Sequence, residues 1–260
     1  MNKKYKIFLV LLIVIIAISS YFIIREFAEN KKETDIYKDL QEIVTEQESS
    51  KSNKDQNISN EEISENNTVS KNDYNLKNIL NINSDVIGWI KINGTNIDYP
   101  VMQNKDYYLH RNIYKNYSSH GTPYLSEYCN IKYSDNLIIY GHNMNDNSMF
   151  AELENYKKYN FYKEHKYIKF YSLYNGQTTE NSYEIVIVFK TVAYSEKGFK
   201  YYNYTNFSDK QDLDYFLDNC RNLEFYDTGI KVNYGDKLIT LSTCEYSEKN
   251  GRIVVIAKQL

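Results

Sequence analysis

Cys244 ends the run Lys237-Leu238-Ile239-Thr240-Leu241-Ser242-Thr243-Cys244, which reads as a buried strand with a thiol at its tip. Glu245 to Gly251 is polar and turn-like, and Arg252 opens a second apolar run, Ile253-Val254-Val255-Ile256-Ala257. If the two runs pair as an antiparallel hairpin, Cys244 and Arg252 flank the same loop. A guanidinium placed there can lower the pKa of a thiol and can stabilise an oxyanion. The plainer reading is a core cysteine ending one strand and an ordinary arginine starting the next.

His142 tips the balance toward chemistry. Asn136-Leu137-Ile138-Ile139-Tyr140 is another apolar strand and runs into Gly141-His142-Asn143. The glycine is expected to free the backbone to turn, leaving His142 at a strand end that faces a loop. A cysteine and a histidine brought together from distant strand ends are the minimum for a thiolate–imidazolium pair. His110, His120 and His165 lie in polar or Tyr-rich stretches and are expected at the surface. Cys129 and Cys220 read as structural. No His, Cys or Asp grouping has the spacing of a metal site, and the chemistry requires no cofactor.

These strand ends need a sheet to hold them. Tyr74 to Ile82 predicts a short helix, and Val86-Ile87-Gly88-Trp89-Ile90-Lys91-Ile92 a strand. Asn93-Gly94 signals a hairpin into Ile97 to Met102, where Pro100 indicates an edge or a bulge. Further strands are expected at Asn136 to Tyr140, Tyr167 to Leu173, Tyr183 to Ala193, Lys237 to Thr243 and Arg252 to Lys258. Helices are expected at Ser148 to Lys157, capped by Ser148, and at Asp209 to Cys220, with Leu213, Phe216 and Leu217 on one face. Many short strands with few helices indicate a β-barrel or sandwich.

The remaining chain bears on location. Ile7 to Ile24 is an uncharged run, long enough at about 1.5 Å per residue to span a hydrocarbon core of roughly 27 Å. Lys3, Lys4 and Lys6 precede it, which favours an N-terminus in the cytoplasm (residues 1–6) and the remainder outside. The rival is a cleaved signal peptide, for which Ala17-Ile18-Ser19 is a faint match. Residues 25–73 read as a polar linker, within which Ile36 to Val44 could form a short amphipathic helix. Glu46 to Asn67 is too poor in large apolar residues to fold and reads as a disordered stalk. The folded domain is expected over residues 74–260. Outside a membrane, three cysteines leave at least one thiol unpaired within the chain. A net charge of −3 and no RNA-reading motif argue against a nucleic-acid partner. The 28 tyrosines, in a chain with 2 prolines and 1 tryptophan, read as codon bias rather than function.

Thr240-Leu241-Ser242-Thr243-Cys244 resembles the TLxTC signature of sortases, the cysteine transpeptidases of Gram-positive surfaces. Asn136 to Met144 resembles the family's histidine segment, and Arg252 falls where its arginine does. Ile87-Gly88-Trp89-Ile90, Asn96 to Gln103 and Met149-Phe150 look like class B members, as does a helix between the late strands. The resemblance covers about Tyr74 to Leu260. It implies an eight-stranded sortase-type barrel, mostly β, with N-terminal helices and an extra helix before the cysteine strand.

It also implies a mechanism. Cys244 would attack a threonine carbonyl in the sorting motif of a secreted protein. Arg252 and the backbone N–H of Glu245 would steady the oxyanion, and His142 would protonate the leaving amine. An amine of peptidoglycan, or of its lipid-linked precursor, would then release the acyl group. Ser242 shares a strand face with Cys244 and either contacts the peptide or simply leaves room near the thiol. Leu109 lines the peptide groove by resemblance. Class B motifs are NPQTN-like or (S/P)PxTG-like. Two rivals stand: a cysteine peptidase that only hydrolyses, and a non-enzymatic surface-binding β domain.

Overall fold

Alternating apolar residues pair here into eight strands that close on themselves. The structure, a computed structural model, describes residues 3–45 and 74–260. The strands are β1 (Val86–Lys91), β2 (Asp98–Met102), β3 (Tyr124–Leu125), β4 (Asn136–Tyr140), β5 (Tyr167–Tyr174), β6 (Gln177–Val192), β7 (Leu238–Glu245) and β8 (Gly251–Gln259). They form a closed barrel in the order β1-β2-β3-β4-β7-β8-β6-β5. Closure removes free sheet edges. Trp89, Ile90, Phe170, Phe189, Leu241 and Val255 are fully buried and belong to the core.

The strand pairing around β7 matters most. β7 lies between β4, which is parallel to it, and β8, which is antiparallel. The C-terminal ends of β4 and β7 and the start of β8 therefore share one end of the barrel. Pro100 fits without loss, since it pairs with Trp89 on β1 while β2 meets β3 only at Met102 and Tyr124. A proline has no N–H to offer a second neighbour. The Asn93-Gly94 turn forms as expected, with Gly94 at φ +78° and the Ile92 N–H donating to the Ile97 carbonyl at 2.8 Å.

The helices are α1 (Lys3–Thr45), α2 (Lys77–Ile82), α3 (Tyr159–Glu164) and α4 (Lys210–Arg221). α4 is the extra helix before the cysteine strand. Asp209 caps it by accepting from the Asp212 N–H at 2.9 Å, and Leu213, Phe216, Leu217 and Cys220 form its buried face. Ser148 does not cap a helix. The segment that follows is a 3-10 stretch, Ala151–Lys157, and the Ser148 hydroxyl bonds Asp146 instead. The short strand β3 and helix α3 were not predicted from the sequence.

The chain divides into two compact units, Met1–Leu40 and Gln41–Leu260. α1 is a single helix long and apolar enough to cross a membrane, and its side chains from Ile7 to Ile24 are exposed. Residues 25–45, expected to begin a linker, are helical. The last turn of α1 belongs to the second unit, where the Gln41 amide donates to the Asp98 carbonyl at 2.9 Å. The expected stalk at Glu46 to Asn67 lies outside the described residues.

Candidate active site

The antiparallel ladder makes Cys244 and Arg252 direct partners, as the hairpin argument expects. β4 supplies the third member. Its parallel register with β7 runs to Tyr140 opposite Ser242, and the Gly141 N–H then donates to the Ser242 carbonyl at 3.2 Å. Two residues further on, His142 comes level with Cys244. The alignment is locked from both sides. The Thr243 hydroxyl donates to the Gly141 carbonyl at 2.7 Å, and the Asn143 amide donates to the Cys244 carbonyl at 2.8 Å.

Gly141 is needed here for space and not for turning. Its φ is not positive, but an added Cβ would lie 2.7 Å from the ring of Phe150. Phe150 is fully buried, and its N–H donates to the His142 carbonyl at 2.8 Å. The glycine thus lets a core aromatic pack against the backbone that carries His142.

His142 is oriented by the main chain. Its Nε2–H donates to the Leu109 carbonyl at 2.7 Å. A carbonyl can only accept, so Nε2 carries the proton and Nδ1 is left for chemistry. Burial pushes the imidazole below its ordinary pKa, the Leu109 bond pulls it back up in part, and the neighbouring His110 and His120 push it down again. Neutral imidazole is therefore the major form near pH 7.

Cys244, His142, Arg252, Ser242 and Leu109 all line one cavity of about 580 Å³. Glu245 does not line it. Its carboxylate accepts from Lys157 at 2.8 Å and from the Ser247 hydroxyl at 2.8 Å, and pairs with Lys190 at 3.1 Å. Burial alone would raise this carboxyl. The bonds from Lys157, Ser247 and Lys190 outweigh it and bring the pKa to about 2. The side chain braces the loop between β7 and β8, so any role for Glu245 toward a substrate belongs to its backbone.

Sequence reasoning missed three features. Ser242 is 1% exposed, and its hydroxyl shares a 2.6 Å hydrogen bond with the fully buried Tyr201. Nothing in the sequence distinguishes Tyr201 from its neighbours Tyr202 and Tyr204. The tyrosines also supply much of the cavity wall, including Tyr124, Tyr140, Tyr194 and Tyr202. Finally, His120 is not at the surface. It is 1% exposed, and its Nε2–H donates to Asp146 Oδ2 at 2.9 Å. His110 is exposed, as expected, with its ring stacked on that of His142 at 5.5 Å. His165 is half-buried. Cys129 and Cys220 are both buried and free.

A closed barrel with a thiol, an imidazole and a guanidinium at one end defines a class of thiol-bearing barrel proteins, and known proteins narrow it. Residues 90–260 match the family model for the sortase domain. Sortase B of Staphylococcus aureus (strain NCTC 8325 / PS 47) is 32% identical over 99% of this chain and 97% of its own length. The solved sortase B of Clostridium perfringens is 36% identical, with a TM-score of 0.63 over 71% of this chain and 98% of that one. A substrate complex of Staphylococcus aureus sortase B is 34% identical, with a TM-score of 0.63 over 71% of this chain and 84% of that one. The chain belongs to the sortase family of cysteine transpeptidases, and the relatives it matches are class B members.

Proposed function

We propose that the chain is a membrane-anchored transpeptidase that cleaves a C-terminal sorting motif after threonine and passes the acyl group to a cell-wall amine. The observation that carries this reading is the meeting of Cys244, His142 and Arg252 in one cavity, at the aligned ends of β4, β7 and β8. That the Staphylococcus aureus relative is solved as a substrate complex supports a substrate-binding role for this chain as well. The apolar helix α1 supports a single-pass anchor. Lys3, Lys4 and Lys6 favour the N-terminus inside and residues 74–260 outside as the catalytic domain.

The Cys244 thiol passes its proton to the free Nδ1 of His142, and the resulting thiolate attacks the threonine carbonyl. Arg252 and the N–H of Glu245 steady the oxyanion. The Sγ–C bond forms as the scissile C–N bond breaks, and the leaving amine takes a proton from Nδ1 of His142. The incoming amine then attacks the thioester, His142 recovers the proton, and Cys244 is restored. During both steps the Leu109 carbonyl holds the opposite edge of the ring. Ser242 and Leu109 line the peptide groove.

The test is product analysis. The full chain in detergent is given peptides of the NPQTN-like and (S/P)PxTG-like kinds, with and without an oligoglycine or stem-peptide amine. Transpeptidation predicts an amide product whose yield rises with the amine. Free acid alone, whatever the amine, would establish a hydrolase instead.

A further inference from the structure

Two segments meet at His142. One runs from Tyr107 to Tyr124, the other from His142 to Phe150. They touch through the Leu109 carbonyl on Nε2 of His142 at 2.7 Å, and through the stacked rings of His110 and His142. They also touch through His120 and Asp146, joined at 2.9 Å. The proposed mechanism uses the first contact and leaves the third unexplained.

His120 is buried, and such a group is costly to keep unless it is partnered. Its partner Asp146 sits four residues after His142, in the loop that the Asn143–Met149 bridge closes. The Asp146 side chain is 23% exposed. Burial pushes its carboxyl up, but bonds from Ser148 and His120 outweigh this and hold it below the ordinary aspartate value. The carboxylate is thus ionised and accepts from Nε2–H of His120.

The chain around His120 backs directly onto Leu109. Gly121 has φ +60°, and a Cβ there would lie 2.5 Å from the Leu109 oxygen and 2.7 Å from that of Tyr108. The Thr122 N–H donates to the Tyr108 carbonyl at 3.0 Å, and the Ser118 N–H to the His110 carbonyl at 3.1 Å. Displacing residues 118–122 therefore displaces the carbonyl that His142 leans on.

We propose that His120 and Asp146 form a buried positioning pair that keeps the Leu109 carbonyl on Nε2 of His142, and so fixes which nitrogen of His142 is free for proton transfer. His110 and His120 both disfavour the charged form of His142. Cys244, Arg252, Lys105, Asp106 and Glu127 line the same cavity, and Asp146 is the carboxylate that faces His120. This inference rests on the proposed acid–base role of His142.

The test is NMR of the full chain in detergent with ¹⁵N-labelled histidine, read alongside the pH profile of kcat/KM. Asp146→Ala should convert His142 from a single Nε2–H tautomer to a mixture and lower its titration midpoint by about half a unit to one unit. The matching limb of the pH profile should move to lower pH. His120→Leu should give the same tautomer mixture by a different route. Asp146→Asn keeps an acceptor for His120 and should restore the parent tautomer. Ser148→Ala removes another partner of Asp146 and should leave His142 unchanged. An unaltered tautomer in either folded Asp146→Ala or His120→Leu would overturn the proposal. The readout needs no turnover. If a His142→Ala variant still transferred peptide, the proposed acid–base role of His142 would fall while the spectra of the parent and the pair variants still decided the pair.

Discussion

Cys244 and Arg252 are direct partners across the β7–β8 ladder, with Cys244 ending its strand and Arg252 starting the next. Partners of this kind sit about 4.5–5.5 Å apart at Cα, close enough for a guanidinium to reach past a thiol to the group bound there. The arginine is also tethered, since its Nη1 donates to the Gly251 carbonyl at 2.8 Å. One fork position is thus fixed and the others remain available to a developing oxyanion.

Arg252→Lys follows from that geometry. Lysine keeps the charge but loses the planar fork. If oriented hydrogen bonding matters, kcat/KM should fall by about 10²-fold, near the loss from removing one oxyanion donor. Steady-state kinetics on the parent and variant would measure this. A loss under about threefold would assign the arginine to charge alone.

Thiol labelling should separate the three cysteines. Burial pushes Cys129 up to about 11 and Cys220 well above the ordinary thiol value. Cys244 is half-buried and lines the cavity. Mapping after brief iodoacetamide treatment at pH 7.5 should find label on Cys244 while Cys129 and Cys220 react only after unfolding.

Glu245→Gln should cost stability in a pH-dependent way. The folded carboxyl has its pKa depressed to about 2 from 4.5, so its contribution is fully present above 4.5 and is lost as pH falls through about 2. Thermal melts should show the variant below the parent at pH 7 and the two converging towards pH 2.

Tyr201→Phe removes one hydroxyl beneath the cavity floor and leaves the ring. Burial holds the Tyr201 phenol well above its ordinary pKa, so it remains protonated beside Ser242. Losing the shared bond should destabilise the chain by about 1 kcal/mol. Chemical denaturation would measure it. Substrate binding should weaken if Ser242 touches the peptide, seen as a raised KM with kcat little changed.

Gly141→Ala tests whether space beside Phe150 sets the position of His142. The added methyl would overlap the ring at 2.7 Å. A small-to-large change in a packed core costs about 1–3 kcal/mol, and kcat should fall with it as the His142 backbone shifts. Melting temperature and kcat measured together would test this.

The strands that end in chemistry were legible because each is an apolar run with an abrupt polar end. On that basis Cys244 and Arg252 flank one loop if their runs pair as a hairpin, and His142 falls at a strand end; the parallel pairing of β4 with β7 is what brings all three to one end. The role of Gly141 was misread because a sequence shows that a residue lacks a side chain, not which neighbour needs the room. His120 was misread for a related reason. Its flanks, Ser118, Ser119 and Gly121, look like a surface loop, and its partner Asp146 lies 26 residues away. β3 is only two residues long and held by its neighbours, so no local pattern announces it. Tyr201 was one of several tyrosines in a row, and only the fold selects it.

The central claim is that Cys244 carries the acyl group. Incubating the full chain with a sorting peptide and no amine, then mapping the protein at low pH by mass spectrometry, tests it most directly. The account predicts a thioester on the peptide containing Cys244, discharged by added amine and absent from Cys244→Ala. Turnover of the peptide by Cys244→Ala at the parental rate, or an adduct on Cys129 or Cys220 instead, would contradict it.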